Sequence, residues 1–463
     1  MKDYARKLLD NLELGSGGFA DIRFQNSETL FMLIQNGITN EMTSTRLGGA
    51  AVRALVGGAW GFCTTAEVTK ESLEEIVKSA VKMAKVASSK VKEPRKVDAH
   101  FATKGKSKLK MDVNPKDISI EEKLKITQDF EKSIRDVDKR IANSNSRYGE
   151  TVSSETILNT NGTDVTTESG VFRLIAGAVS REGNLQQRVS DDVASSRGIK
   201  SILDYNVIEN GTKVGEKAIE LLTAEKPPSG KMNLVMDPSL VGVFIHEAFG
   251  HACEADGIIT KSSILHDKLG KKVGVEEISV TDNPTIPGLR GTFTYDSEGT
   301  KARVRKLVDN GVLTEFFQTL ETATMMGQEP NGSGRAMDFK SPPLARMGNT
   351  YVEAGDKTLD ELFEIIGEGV FLEKSYGGYV HPAKGQFMFS AQNGYVIKDG
   401  KKDTLTQNVS MSGMIMEVLT NTIGVGKDQS PAFNGTCGKG GQWVPVTGGG
   451  PSLAVKDLVL GGR

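Results

Sequence analysis

The segment from Leu240 to Ala252 constrains this chain more than any other. Apolar side chains occupy every turn of it (Leu240, Val241, Val243, Phe244, Ile245, Ala248, Phe249, Ala252), so a helix formed there is hydrophobic all round. Such a helix belongs in a core. Yet His246, Glu247 and His251 lie within it, and buried polar groups are costly unless each has a partner. A metal ion would supply that partner for the imidazoles, and a water on the metal would supply it for the carboxylate.

The histidines stand five residues apart rather than four. On a regular α-helix, at about 100° per residue, that spacing splays the rings by roughly 140°, too far to share one ion. A single wide turn with an i→i+5 hydrogen bond brings them back to one side. The spacing therefore predicts a π-type or broken turn between His246 and His251, with Gly250 easing the distortion. The plainer alternative is a pair of core histidines bonded to backbone carbonyls. A third ligand would come from Cys253, Glu254, Asp256, His266 or the distant Cys437. Cys253 follows His251 by two and points away, whereas Glu254 follows by three and can turn onto its face. Cys437 sits in a glycine-rich loop over 434–442 that can present a thiolate, with Lys439 nearby to keep the sulfur ionised.

The remainder of the chain is ordinary globular material. With 463 residues, 38% hydrophobic and 25% charged, it has enough for two or three domains with sizeable cores. A net charge of −2 favours neither nucleic acid nor an acidic membrane surface. The first residues show no apolar run of signal-peptide kind, and no stretch approaches the roughly 20 apolar residues of a membrane span. Cys63, Cys253 and Cys437 are odd in number and far apart, without a disulfide framework. A cytoplasmic location is the expectation.

Periodicity predicts an α+β protein: an N-terminal α/β region, a middle helix-and-strand region, and a C-terminal, largely antiparallel β domain carrying the buried metal-binding helix. The expected boundaries are 1–98, 99–226 and 227–463. In the first, helices over 4–12 and 72–87 flank strands at 20–24, 29–35 and 50–55. In the second, helices over 120–137 and 214–224 flank strands at 142–150, 152–159, 164–168 and 171–178. Asn161-Gly162 reads as a hairpin turn with positive φ at both residues. In the third, a strand over 232–236 leads to Asp237 as N-cap and Pro238 at the first helical position.

The run His246-Glu247-Ala248-Phe249-Gly250-His251-Ala252-Cys253-Glu254 resembles the HExxxH segment of the TldD/PmbA (TldE) peptidase family. Gly58-Ala59-Trp60-Gly61-Phe62, Pro284 to Gly291, Asn331 to Arg335, Arg346 to Tyr351 and Cys437 to Pro445 resemble further family segments, in the same order. The resemblance spans nearly the whole chain. It implies a metal-bearing, TldD-type subunit with zinc held by His246, His251 and Cys437 and with Glu247 as the catalytic carboxylate. It also implies cleavage of unstructured peptides inside an enclosed chamber, and a dimer with a TldE-like subunit or with a second copy. Glu247 would take a proton from the attacking water and pass it to the leaving amine. The glycine-rich segments at Arg290 and Arg335 are expected either to face substrate, where an extended peptide could add to an exposed sheet edge, or only to serve turns and close strand packing. Two rival readings are a metal-dependent amidase of a small substrate and a non-catalytic assembly subunit.

Overall fold

Long strands dominate the first half of the computed structural model, which describes residues 1–98, 100–381 and 383–461. Strand Phe19–Gln35 pairs antiparallel with Ile38–Val56 on one side and with Ile141–Asn159 on the other. Ile141–Asn159 pairs in turn with Asp164–Glu182. Ala59–Thr65, Lys104–Ser107 and Leu185–Ser195 complete a seven-stranded sheet, so strands from both sides of residue 98 share one ladder.

Where the residue pattern suggests separate strands at 20–24 and 29–35, the chain runs straight through, and it does so again at 141–159 and 164–182. The reason lies in what each face meets. Ala20, Ile22, Leu30 and Met32 share one face of their strand and are buried against helices. Gln25, Ser27 and Thr29 point the other way and line a cavity of about 690 Å³. Polar side chains facing a cavity interrupt the apolar pattern without interrupting the backbone ladder.

Helix Lys70–Ser88 starts at a capping box formed by Thr69 and Ser72 and buries Leu73, Ile76, Val77, Ala80 and Ala84. Helices Ile120–Arg135 and Val207–Glu220, capped by Ser119 and Asn206, pack in a second cluster with Phe172 and Leu174. The turn at Asn161-Gly162 differs from the expected form. Only Gly162 has positive φ, at 97°, because the Asn159 side chain accepts the Asn161 and Thr163 amides and caps a four-residue loop.

The second half holds two larger sheets, mostly antiparallel. One runs in the order Val312–Leu313, Arg305–Asp309, Val280–Asp282, Asn349–Val352, Gln442–Gly450, Ser430–Lys439, which leaves Ser430–Lys439 at its edge. In the other, Gly369–His381, Gly230–Met236, Leu453–Gly461, Val409–Met414 and Gln386–Lys398 follow one another, and the last pairs back onto the first to close a ring. The apolar helix that begins at Pro238 passes between them. Gly242 abuts the backbone of Gly448 and Gly449, a side chain at Gly242 being excluded by contacts of 2.8 Å. On the opposite side, Phe244 meets Phe387 edge-on at 5.5 Å.

Candidate metal centre

The helix starts as its sequence demands. Asp237 caps it by accepting the Leu240 amide at 2.8 Å, and Pro238 fills the first position. Regular α-helix lasts only to Val243. Over Phe244–Gly250 the turn widens to π geometry, with the His251 amide donating to the His246 carbonyl across five residues. The two imidazoles consequently face one another, their centroids 5.3 Å apart. Gly250 has an ordinary helical φ of −60°, so it does not serve the turn through dihedral freedom. Its role is space, since a Cβ there would lie 2.1 Å from Met347 Sδ.

Cys437 arrives from the edge strand Ser430–Lys439, with its thiol buried. Its Sγ is 3.4 Å from His251 Nε2, and one ligand atom each from His246, His251 and Cys437 all lie within 4.8 Å of one another. Both ring nitrogens of His246 are buried and have no hydrogen-bond partner among the described residues, a costly arrangement unless something else engages them. Two imidazole nitrogens and a thiolate form a donor set that suits zinc, whose bonds of about 2.0–2.3 Å place neighbouring ligand atoms at such separations. Burial alone would raise the Cys437 thiol, but His246 and His251 outweigh it and bring the pKa down to about 5.

The other candidate ligands have different partners. Glu254 accepts from His251 Nδ1 at 3.0 Å, on the far side of the ring from Cys437. Lys439 does not support the sulfur as expected; its ammonium pairs with Glu254 at 3.0 Å and Asp256 at 2.6 Å. Cys253 is wholly buried, and burial pushes its thiol up. His266 pairs with Asp267 at 3.0 Å. The Glu254–Lys439 pair was not anticipated, although its signal is present: Glu254 lies three residues after His251, one helical face on, and Lys439 lies two after Cys437, on the same strand face.

Glu247 is partly exposed and opens into a cavity of about 610 Å³ that His251, Tyr379, Val380 and Gly438 also line. Its Oε2 is 3.8 Å from His251 Nε2. Arg335 lines the other, 690 Å³ cavity instead. It is 9% exposed, donates to the Met347 carbonyl at 2.6 Å and lies 4.7 Å over the Phe293 ring. Burial lowers its pKa to about 9. Arg290 donates to the Gly435 carbonyl at 3.0 Å and to Thr436 Oγ1 at 3.2 Å. Thr436 and Cys437 alternate along their strand, so Arg290 approaches from the face opposite the thiol.

This fold and site define a class. Three parts of the chain match the PmbA/TldA metallopeptidase: its domain 1 at 20–84, its central domain at 113–224 and its C-terminal domain at 229–462. The chain belongs to that metallopeptidase family. It is 37% identical over 460 residues to a metalloprotease of Methanothermobacter thermautotrophicus, covering 99% of both chains. It is 29% identical over 462 residues to a zinc metalloprotease TldD homolog of Saccharolobus solfataricus, covering 97% of this chain and 98% of that one. The crystal structure of TldE from Thermococcus kodakarensis shares the fold, with a TM-score of 0.73 at 19% identity over 99% of this chain and 98% of that one.

Proposed function

We propose that this protein is a zinc-dependent peptidase of the TldD type that hydrolyses unstructured peptides or small unfolded proteins. His246, His251 and Cys437 are its zinc ligands. The observation that carries this reading is the buried imidazole of His246, bonded to no backbone carbonyl among the described residues, beside His251 and the thiol of Cys437. A merely structural histidine pair would be bonded to backbone carbonyls, and His246 is not.

Zinc with three protein ligands supplies an open position for water, lowers that water's pKa towards about 7 and polarises a carbonyl. Glu247 projects into the cavity beside His251. It accepts the proton of the attacking water and returns it to the leaving amine, a contribution of typically 10²–10⁴-fold. An extended substrate adds to the free edge of Ser430–Lys439, the strand that carries Cys437, where backbone bonding gives affinity with little sequence preference. Arg335 provides a cation to a substrate chain in the larger cavity, and Arg290 braces the edge strand from behind. The working form is a dimer with a TldE-like subunit or a second copy, in the cytoplasm. No helix among the described residues is long and apolar enough to cross a membrane.

The test uses protein purified without added zinc and an unfolded peptide as substrate. Wild type is expected to cleave it, and Glu247→Gln to keep its metal while losing cleavage. Cleavage that survives in Glu247→Gln would remove the general-base assignment.

A further inference from the structure

Ser430–Lys439 brings the thiol to the site, yet it is the last strand of its sheet and, among the described residues, has no strand neighbour on one side. It ends in a turn at Gly440 and Gly441, both with positive φ. A ligand delivered from such a strand end is poorly fixed by backbone pairing alone, since free edges and loop junctions are the readier parts of a fold to open. Arg346 and Arg290 hold its backbone through the Cys437 and Gly435 carbonyls, and Lys439 adds a side-chain tie to the segment that carries the histidines. Two residues beyond Cys437, it shares that strand face and reaches Glu254 at 3.0 Å, Asp256 at 2.6 Å and the Ala345 carbonyl at 3.1 Å. Both acids lie on the segment that immediately follows His251.

Glu254 holds the other end. It is 3% exposed, and its Oε2 serves both His251 Nδ1 and Lys439 Nζ. A carboxylate on the remote nitrogen of a ligating histidine fixes the tautomer and orientation of the ring. Here that carboxylate is itself held by a lysine from the strand that supplies the third ligand. One oxygen therefore joins the histidine side of the site to the thiolate side.

We propose that Glu254 and Lys439 form a clasp that locks the His251 ring and the Cys437 strand into register for the metal. Both are positioning residues. The proposal rests on the metal-site reading above and adds to it how the site is held ready.

The test is the zinc affinity of the demetallated full chain, measured by competition with a chromophoric chelator, with the cobalt(II) spectrum as second readout. Glu254→Gln and Lys439→Met are each expected to weaken zinc binding about 10- to 100-fold, the usual range for such outer partners. The double variant should lose little more than the worse single one, because both act through the same contact. Lys439→Arg, which keeps the charge, should restore most of the affinity. Cobalt spectra of the single variants should keep the thiolate charge-transfer band and show displaced ligand-field bands.

Wild-type affinity in either single variant overturns the proposal. So do losses that multiply in the double variant, or cobalt spectra identical to wild type. Should Glu254→Gln fail to fold, Glu254→Asp, which keeps the charge but draws it back by one methylene, carries the same expectation. Wild type that binds no zinc at all would defeat the metal-site reading itself, an outcome distinguishable from failure of the clasp alone.

Discussion

Two helices of this molecule stand in contrast. Lys70–Ser88 is regular from a capping box to its last turn and buries one stripe while its other face meets solvent. The helix starting at Pro238 is buried on nearly every side and abandons α geometry after Val243 for a wide turn that holds two histidines. The first is amphipathic, and its buried residues serve packing. The second accepts irregular backbone and buried polar groups, which cost stability, in exchange for bringing His246, His251 and Cys437 together. Regularity follows what a helix has only to bury, and distortion follows what it has to hold.

Substitutions that treat the two helices unequally test this contrast. The largest effect belongs to His246→Ala, which should bring zinc content to background. It should also cost several kcal/mol of transition-state stabilisation, about 10³-fold or more in peptide hydrolysis. Leu73→Ala, at a fully buried site of the regular helix, should cost about 2–5 kcal/mol in denaturant unfolding while leaving zinc content at wild-type level. Metal loss in Leu73→Ala would break the separation of roles.

Gly250→Ala sharpens the claim that Gly250 serves packing. Its new methyl would displace Met347, costing about 1–3 kcal/mol. Trimming Met347 to Ala in the same chain should recover part of that loss. No recovery would contradict the packing role of Gly250. The smallest effect concerns the N-cap. Burial lifts the Asp237 carboxyl to about 6, against backbone amides that favour its charged form. A carboxyl with a raised folded-state pKa gives stability that is fully present below its unfolded value of about 3.9 and lost as pH rises through about 6. Asp237→Asn, still a competent cap, should therefore gain melting temperature relative to wild type at pH 7 but not at pH 4. An equal difference at both would contradict this.

Much of the site was legible because its residues obey strong local rules. Five-residue spacing between histidines in an all-apolar helix leaves few outcomes other than a widened turn, and Asp237-Pro238 names its own helix start. The strands were harder. Gln25 to Thr29 read as a break because their side chains face a cavity, which depends on what packs opposite and not on the strand itself. Strands on both sides of residue 98 proved to share a sheet through pairings more than a hundred residues apart, which local periodicity does not register. The Asn159 side chain replaced the expected two-residue turn. Lys439 was legible as a neighbour of the sulfur in sequence, but its preference for Glu254 and Asp256 depended on the fold bringing the 251–256 segment alongside.

X-ray absorption at the zinc edge, on protein purified without added metal, addresses the central claim most directly. The account predicts about one zinc per chain with two imidazole nitrogens at roughly 2.0–2.1 Å and one sulfur near 2.3 Å, the sulfur lost in Cys437→Ser. Protein without zinc, or zinc whose shell has no sulfur scatterer, would contradict it.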